Sequence, residues 1–261
     1  MRIRRLLTDR CPVAFATLAY AAFLASSAWA AGFLADLAVA PTTVDARSGE
    51  PHWQTAATDL AVDLALFLLF ALQHSGMARD WFKRRLRPVL TDRYERSTYV
   101  LASAAVLGLL LWQWRPLPGT VWTVRSQPAT GLLWGLYAVG WVVTVAATYM
   151  VDHWDFTGLR QARWDPRRGP YAGPTFTERW LYAWVRHPMM LGLLVTFWAT
   201  PRMTAGHLLF ATAATGYVVV GVYFEEYDLR RTLGATYTEY AARVPAVLPT
   251  AVGRQRTSST R

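Results

Sequence analysis

Two ionisable pairs sit hard against apolar runs in the last third of this chain. Arg186 and His187 directly precede Pro188, and Glu225 and Glu226 follow about forty residues later. Ionisable groups in such surroundings are costly, so each is read first as functional, with a named partner. Proline suits the first turn of a helix, where its missing N–H is not needed. Arg186 and His187 are therefore placed at a helix N-terminus, whose free N–H groups and dipole favour an anion. The glutamates supply the opposite charge. One site thus offers a home for a carboxylate and for a cation. A plainer arrangement exists too: Glu226 and Arg230 are spaced for an ordinary helix-surface pair, and adjacent glutamates project about 100° apart.

A second chemical stretch runs from Tyr149 to Gln161 and reads Tyr-Met-Val-Asp-His-Trp-Asp-Phe-Thr-Gly-Leu-Arg-Gln. Asp152 and Asp155 bracket His153 and Trp154, and Arg160 and Gln161 follow. A histidine flanked by carboxylates has the parts of a general base. The structural alternative is that the aspartates cap a turn and Arg160 snorkels to headgroups. A further histidine, His74, ends an apolar run in Gln73-His74-Ser75.

Long apolar segments must position these groups. The 261 residues are 53% hydrophobic, and the pattern is that of an all-α, polytopic membrane bundle of about five to six membrane helices. The first span follows Arg2, Arg4 and Arg5 and runs from Cys11 to about residue 40. Its length is about twice a signal-peptide core, which favours a membrane helix even though Ser27-Ala28-Trp29-Ala30-Ala31 looks cleavable. Further spans are expected at about 58–78, 97–112 and 131–151. A final hairpin pairs about 186–200 with 205–224 and turns at Thr200-Pro201-Arg202-Met203. Trp112 to Pro116 reads as an interfacial aromatic anchor. Gly131 and Gly135 form a small-xxx-small pattern that permits close helix packing. The polar stretch from Asp152 to Val185, rich in Trp and Tyr, reads as an ordered connection. We take residues 1–249 as one domain, with 184–249 as its signature region and 250–261 as a polar, disordered tail.

Charge sets the orientation. Of the 27 Lys and Arg, only Arg47, Arg115, Arg125 and Arg202 lie on the side opposite the N-terminus. The positive-inside bias then places both termini in the cytoplasm, in a plasma (inner) membrane, and accounts for the net charge of +10 without nucleic acid. His74, His153, His187, Glu225 and Glu226 all emerge on the cytoplasmic side, whereas His52 and His207 fall on the other. The sole cysteine, Cys11, excludes an internal disulfide and a cysteine-based zinc site. The three same-side histidines lack ligand spacing, so no metal is expected. No strand precedes a Gly-rich turn, which excludes a soluble nucleotide-binding fold.

The turn Arg186-His187-Pro188-x-x-x-Gly192 with its distant Glu-Glu pair resembles the isoprenylcysteine carboxyl methyltransferase and phospholipid methyltransferase superfamily. Met190 stands where an aromatic residue is usual in that family. A closer resemblance, covering about residues 12–249, is to the methanethiol S-methyltransferases. It rests on Gln73-His74-Ser75, Glu95 to Tyr99, Trp112 to Pro116, the Asp152–Gln161 stretch, Phe197 to Pro201 and Thr204-x-Gly206-His207-Leu208. The resemblance implies methyl transfer from S-adenosyl-L-methionine to a small thiol, methanethiol giving dimethyl sulfide, with hydrogen sulfide a second acceptor.

On that footing Arg186, His187, Pro188, Gly192, Glu225 and Glu226 are expected at the cofactor. Tyr237 and Tyr240 are either adenine-stacking or interfacial. Tyr149, Trp154, Arg160 and Gln161 are assigned to the substrate side. Thiols are largely protonated at neutral pH, so a base is expected: His153 oriented by Asp152 or Asp155, with His74 second. Two rival readings are kept. One is methylation of a prenylated-cysteine carboxyl or a lipid, and the other is a non-catalytic or isomerase-type membrane protein related to nitrite/nitric-oxide gene-cluster proteins.

Overall fold

A computed structural model of the chain describes residues 11–45 and 56–249. The arginines before Cys11, Arg47, His52 and the 250–261 tail lie outside the described residues. Among the described residues four helices are long and apolar enough to cross a membrane: α1 (Pro12–Leu34), α2 (Ala56–Ala78), α5 (Gln127–Val151) and α9 (Ala205–Leu233). At 1.5 Å per residue each exceeds the roughly 30 Å hydrocarbon thickness. A short helix, α3 (Asp80–Leu86), leads into α4 (Asp92–Gln113). Helix α4 is equally long but carries Asp92, Arg93, Glu95 and Arg96 in its first turns. The chain is a membrane bundle of the all-α class with little strand.

α8 (Pro188–Trp198) has only 11 residues, too few to span. Its expected partner turn is not a turn. Residues Arg202–Thr204 form strand β2, which pairs antiparallel with β1 (Thr120–Thr123) from the α4–α5 connection. Local sequence carried no sign of this distant partner. Irregular backbone beside lipid must be buried and bonded, and here it is both. Ala199, Thr200, Met203 and Thr204 are buried. The Trp122 indole donates to the Thr200 carbonyl at 3.2 Å, and the Val124 N–H to that of Pro201 at 2.8 Å. His207 Nε2 donates to the Phe197 carbonyl at 3.0 Å, closing the end of α8.

The densest apolar packing lies at this end of the bundle. Phe33, Leu110, Leu111, Trp114, Phe197 and Phe210 form its centre. Trp114 corrects the anchor expected there: it is 1% exposed and packs edge-on against Phe33 and Phe210, while Trp112, 59% exposed, keeps the outward position. The next residue, Arg115, donates its N–H to Asp63 and its guanidinium to Asp59, both at 2.9 Å, so the α2 aspartates hold the end of α4.

Gly131 and Gly135 also require correction. Both face outward with nothing near them. The close helix approach is instead α5 against α8 at Gly140 and Gly192. A methyl group on Gly140 would stand 2.7 Å from the Gly192 carbonyl. Gly140→Ala is therefore expected to destabilise the protein by about 1–3 kcal/mol, the usual cost of overpacking. Gly131→Ala should leave it unchanged. Thermal unfolding in detergent measures both, and equal midpoints for the two variants would refute the assigned contact.

Candidate active site

Helix α8 begins where Pro188 occupies the first turn and His187 the cap position. The backbone ahead of it is strapped down. The Arg186 and His187 N–H groups donate to the Pro245 and Ala246 carbonyls, each at 2.9 Å. The Arg186 guanidinium then reaches the end of α10 (Ala235–Arg243), donating to the carbonyls of Ala241, at 3.0 Å, and Val244. A cation there satisfies orphan carbonyls and complements the helix dipole.

The anion expected at this N-terminus is supplied by the chain itself. Glu226 Oε1 accepts from Arg186 Nε at 2.7 Å, His187 Nε2 at 2.9 Å and the Tyr237 hydroxyl at 2.7 Å. Its other oxygen accepts from Arg230 at 2.7 Å, so the helix-surface pair forms as well. Glu226 is buried and fully engaged. Glu225 differs: its side chain is 49% exposed and its ion-pair contact among the described residues is His187 Nδ1, at 3.4 Å. Burial alone would lower the His187 pKa, but the two carboxylates overcome it and hold the value above the usual histidine range. Both ring nitrogens face carboxylates, which favours the cation.

Tyr237 and Tyr240 occupy neither of the two places expected of them. Each is 1% exposed and packs in a small core with Val244 and Phe176. The Tyr240 hydroxyl donates to the Tyr182 carbonyl at 2.6 Å. The rings that border open space are Tyr223 and Tyr227. With Arg186, Glu226, Arg230 and Ala246 they line a pocket of about 430 Å³. Gly192 sits in the α5–α8 contact described above.

The second stretch folds into two short helices, α6 (His153–Phe156) and α7 (Leu159–Arg163). Asp152 caps α6, accepting from the Asp155 N–H at 3.0 Å, and pairs with Arg160. Asp155 accepts from the Tyr171 hydroxyl. Each carboxylate is thus engaged away from the His153 ring, contrary to the orientation expected. His153 is 5% exposed, stacked on Tyr149 with centroids 4.1 Å apart. Its Nδ1 lies 2.8 Å from Thr148 Oγ1 and its Nε2 3.1 Å from the Tyr20 hydroxyl.

Thr148 donates its one hydroxyl proton to the Val145 carbonyl, at 2.7 Å. It must then accept from His153 Nδ1–H, which leaves Nε2 as the acceptor facing Tyr20. Burial lowers the His153 pKa, opposed by the Asp152 charge, so the ring is neutral near pH 7. Tyr20 and Thr148 carry no motif signal. Only the packing of α1 and α5 around α6 brings them to the ring.

The Gly-Leu-Arg-Gln run docks α4. Gly158 has φ of 87°, and a side chain there would stand 2.8 Å from the Ser97 nitrogen. Gln161 accepts from the Arg96 N–H at 3.0 Å, tying α7 to the second turn of α4. His74 stands apart between α2 and α4, with Nε2 2.9 Å from the Tyr99 hydroxyl and Nδ1 3.2 Å from Ser103. Trp154 is half-exposed beside the His153 ring. Among the described residues no group of His, Cys, Asp and Glu is arranged to hold a metal ion.

Comparison with known proteins places this arrangement. Residues 63–226 match the NnrU protein family. The chain is 44% identical over 237 residues to the methanethiol S-methyltransferase of Mycobacterium tuberculosis, covering 91% of this chain and 95% of that protein. It is 47% identical over 243 residues to methanethiol S-methyltransferase 2 of Bradyrhizobium diazoefficiens, covering 93% and 92%. The chain belongs to the methanethiol S-methyltransferase family. A Pseudomonas sp. member is 41% identical over 88% of this chain. No solved structure matches significantly. In this family member the two histidines beside α5 and α8 are shifted in opposite directions: carboxylates raise the pKa of His187, and burial in an aromatic box lowers that of His153.

A pH dependence follows from His187. Its folded pKa is raised, so its contribution to stability is complete below the ordinary value of about 6.5 and is lost as pH rises through the folded value. The thermal midpoint should fall across that window in the parent, and His187→Asn should flatten the fall. Glu226→Ala leaves the Arg186 charge buried and unpaired, which should cost about 3–5 kcal/mol. An unchanged midpoint in that variant would refute the role given to Glu226.

Proposed function

We propose that this protein is a membrane methyltransferase that transfers a methyl group from S-adenosyl-L-methionine to methanethiol, forming dimethyl sulfide, with hydrogen sulfide a second acceptor. The observation that carries this reading is the identity to named methanethiol S-methyltransferases along nearly the whole of both chains. These relatives do not favour the carboxyl- or lipid-methylating reading or the non-catalytic reading. The concentration of Lys and Arg at the end bearing the site supports a cytoplasmic orientation for it, in the inner membrane.

The chain's own groups fit the donor. The pocket beside Glu226 has a volume of about 430 Å³, of the order of a cofactor-sized ligand. Tyr223 and Tyr227 offer ring faces to an adenine. Arg230, half-exposed and bonded to Glu226 through one nitrogen, has donors left for a carboxylate. Glu225, half-exposed, is the carboxylate with acceptor capacity left for an ammonium or sulfonium. We therefore assign Glu225 to the cofactor's charged groups beside His187, outside the pocket's own lining, whose wall Arg186 and Glu226 hold. When bound, S-adenosyl-L-methionine supplies a methyl group on a positively charged sulfur.

We assign to His153 the proton of the thiol. Its neutral Nε2 accepts from Tyr20, so a thiol donating to the Tyr20 oxygen can pass its proton through that hydroxyl to the ring. Thr148 fixes the tautomer that leaves Nε2 open for this. As the proton reaches Nε2, the sulfur lone pair is free to form the new bond to carbon. Tyr149, Trp154 and Tyr20 around the ring exclude water, which suits an acceptor with no charged handle.

Membranes containing the protein, given S-adenosyl-L-methionine and methanethiol, should release dimethyl sulfide into the headspace. No product above control membranes would overturn the assignment. His153→Ala should lower turnover at neutral pH by roughly 10²–10⁴-fold, the range of acid–base assistance. Part of the loss should return at alkaline pH as the thiol ionises unaided. Tyr20→Phe should fall between parent and His153→Ala. Parental turnover of His153→Ala at neutral pH would move the base to His74.

A further inference from the structure

A second pocket, apart from the one assigned to the methyl donor, opens where α5 gives way to α6 and α7. Its volume is about 500 Å³, and its lining includes Arg160, Arg163, Arg168, Trp154, Trp164 and Tyr171. The loop after α7 folds back to make its wall. The Trp164 indole donates to the Gly169 carbonyl at 3.2 Å, Tyr171 packs edge-on against Trp164 at 5.7 Å, and Arg160 reaches the Ala172 carbonyl at 3.3 Å. The shape is thus held by bonds within the segment.

Its charge is unbalanced. Asp152 is the one carboxylate in the lining, and Arg160 already pairs with it. Arg163 has no ion pair among the described residues, and Arg168 meets Asp165 only at 3.9 Å with its side chain largely exposed. Two guanidinium groups are therefore free to meet an anion, and guanidinium is the side chain best matched to phosphate.

The position says which anion. α5 is one of the membrane spans, and the pocket lies just past its last residue, Val151. Along α5, Val142, Val145 and Tyr149 form an exposed stripe at helical spacing that leads to the same end. Trp154, half-exposed in the lining, is the aromatic type found at headgroup level. An apolar stripe ending in a basic, aromatic-walled pocket matches an amphiphile with a phosphate head and an acyl tail.

We propose that this pocket binds the headgroup of an anionic phospholipid, with Arg163 and Arg168 on the phosphate and the acyl chain along α5. The site docks the Asp152–Ala172 segment onto the membrane surface. It is independent of the methyl-donor pocket.

Thermal unfolding of the full chain in detergent micelles tests this, with phosphatidylglycerol, phosphatidylcholine or inorganic phosphate added. Phosphatidylglycerol should raise the midpoint by about 2–4 °C over phosphatidylcholine, given the usual strength of one or two arginine–lipid contacts. The Arg163→Gln/Arg168→Gln double variant should lose that difference while retaining parental methyl transfer. Arg84→Gln/Arg85→Gln, an equal loss of charge on α3, should keep it. Equal midpoints in the two lipids would overturn the proposal, as would an equal shift with inorganic phosphate alone or an equal loss in the α3 variant. If the double variant unfolds on its own, the single variants Arg163→Lys and Arg163→Gln decide. The difference should survive in the first and shrink in the second, and the same response in both would overturn the proposal.

Discussion

The carboxylate of Glu226 accepts from Arg186, His187, Arg230 and Tyr237, and three helices depend on it. A charge removed from water is costly unless its lone pairs are filled. Here they are filled by donors from the start of α8, from α9 itself and from α10. The bonds also run onward, because Arg186 caps α10 while its backbone N–H, with that of His187, holds the 244–246 strap. Loss of Glu226 would therefore release the start of α8 and the end of the chain together. That coupling keeps an 11-residue helix in place with no membrane-spanning length of its own.

The two ends of the bundle solve different problems. At one end α8 gives out partway, and its remaining reach is covered by a two-stranded ribbon and a plug of large aromatic and aliphatic side chains. Close packing there closes the bundle and leaves little room for a ligand. At the other end the helices finish in charged and hydroxyl-bearing residues, and both pockets open among them. The far end supplies stability so that the near end can hold polar groups at membrane depth.

Sequence patterning located the spans, because long apolar runs are set by bilayer thickness, but not all their ends: α1 stops at Leu34 rather than near residue 40, and α9 runs on to Leu233 rather than 224. The ionic pair also stood out, since charges beside apolar runs are rare. What could not be read was assignment within the pair. Adjacent glutamates look equivalent in sequence, and only the fold turns Glu226 inward and leaves Glu225 half-exposed. Tyr20 and Thr148 were invisible for a related reason: a tyrosine and a threonine in apolar helices read as ordinary span residues until the distant His153 meets them. The helix contact of Gly192 was not legible because a glycine in a motif does not say whether a ligand or another helix comes close. The Gly140 contact answers that.

That same contact links the two histidines. Gly192 packs against the α5 turn containing Gly140 and Thr144, and the helices run in opposite directions. Continuing the register by one turn brings the start of α8, at Pro188, to the level of Thr148. Thr148 holds His153, and Pro188 directly follows His187, so the two rings lie at similar depth on neighbouring helices. Two carboxylates raise the pKa of one ring, while burial among aromatic rings lowers that of the other. The methyl transfer proposed above can use this contrast. A fixed positive charge stiffens the wall around the donor, and a neutral acceptor nearby can take a proton without first having to lose one.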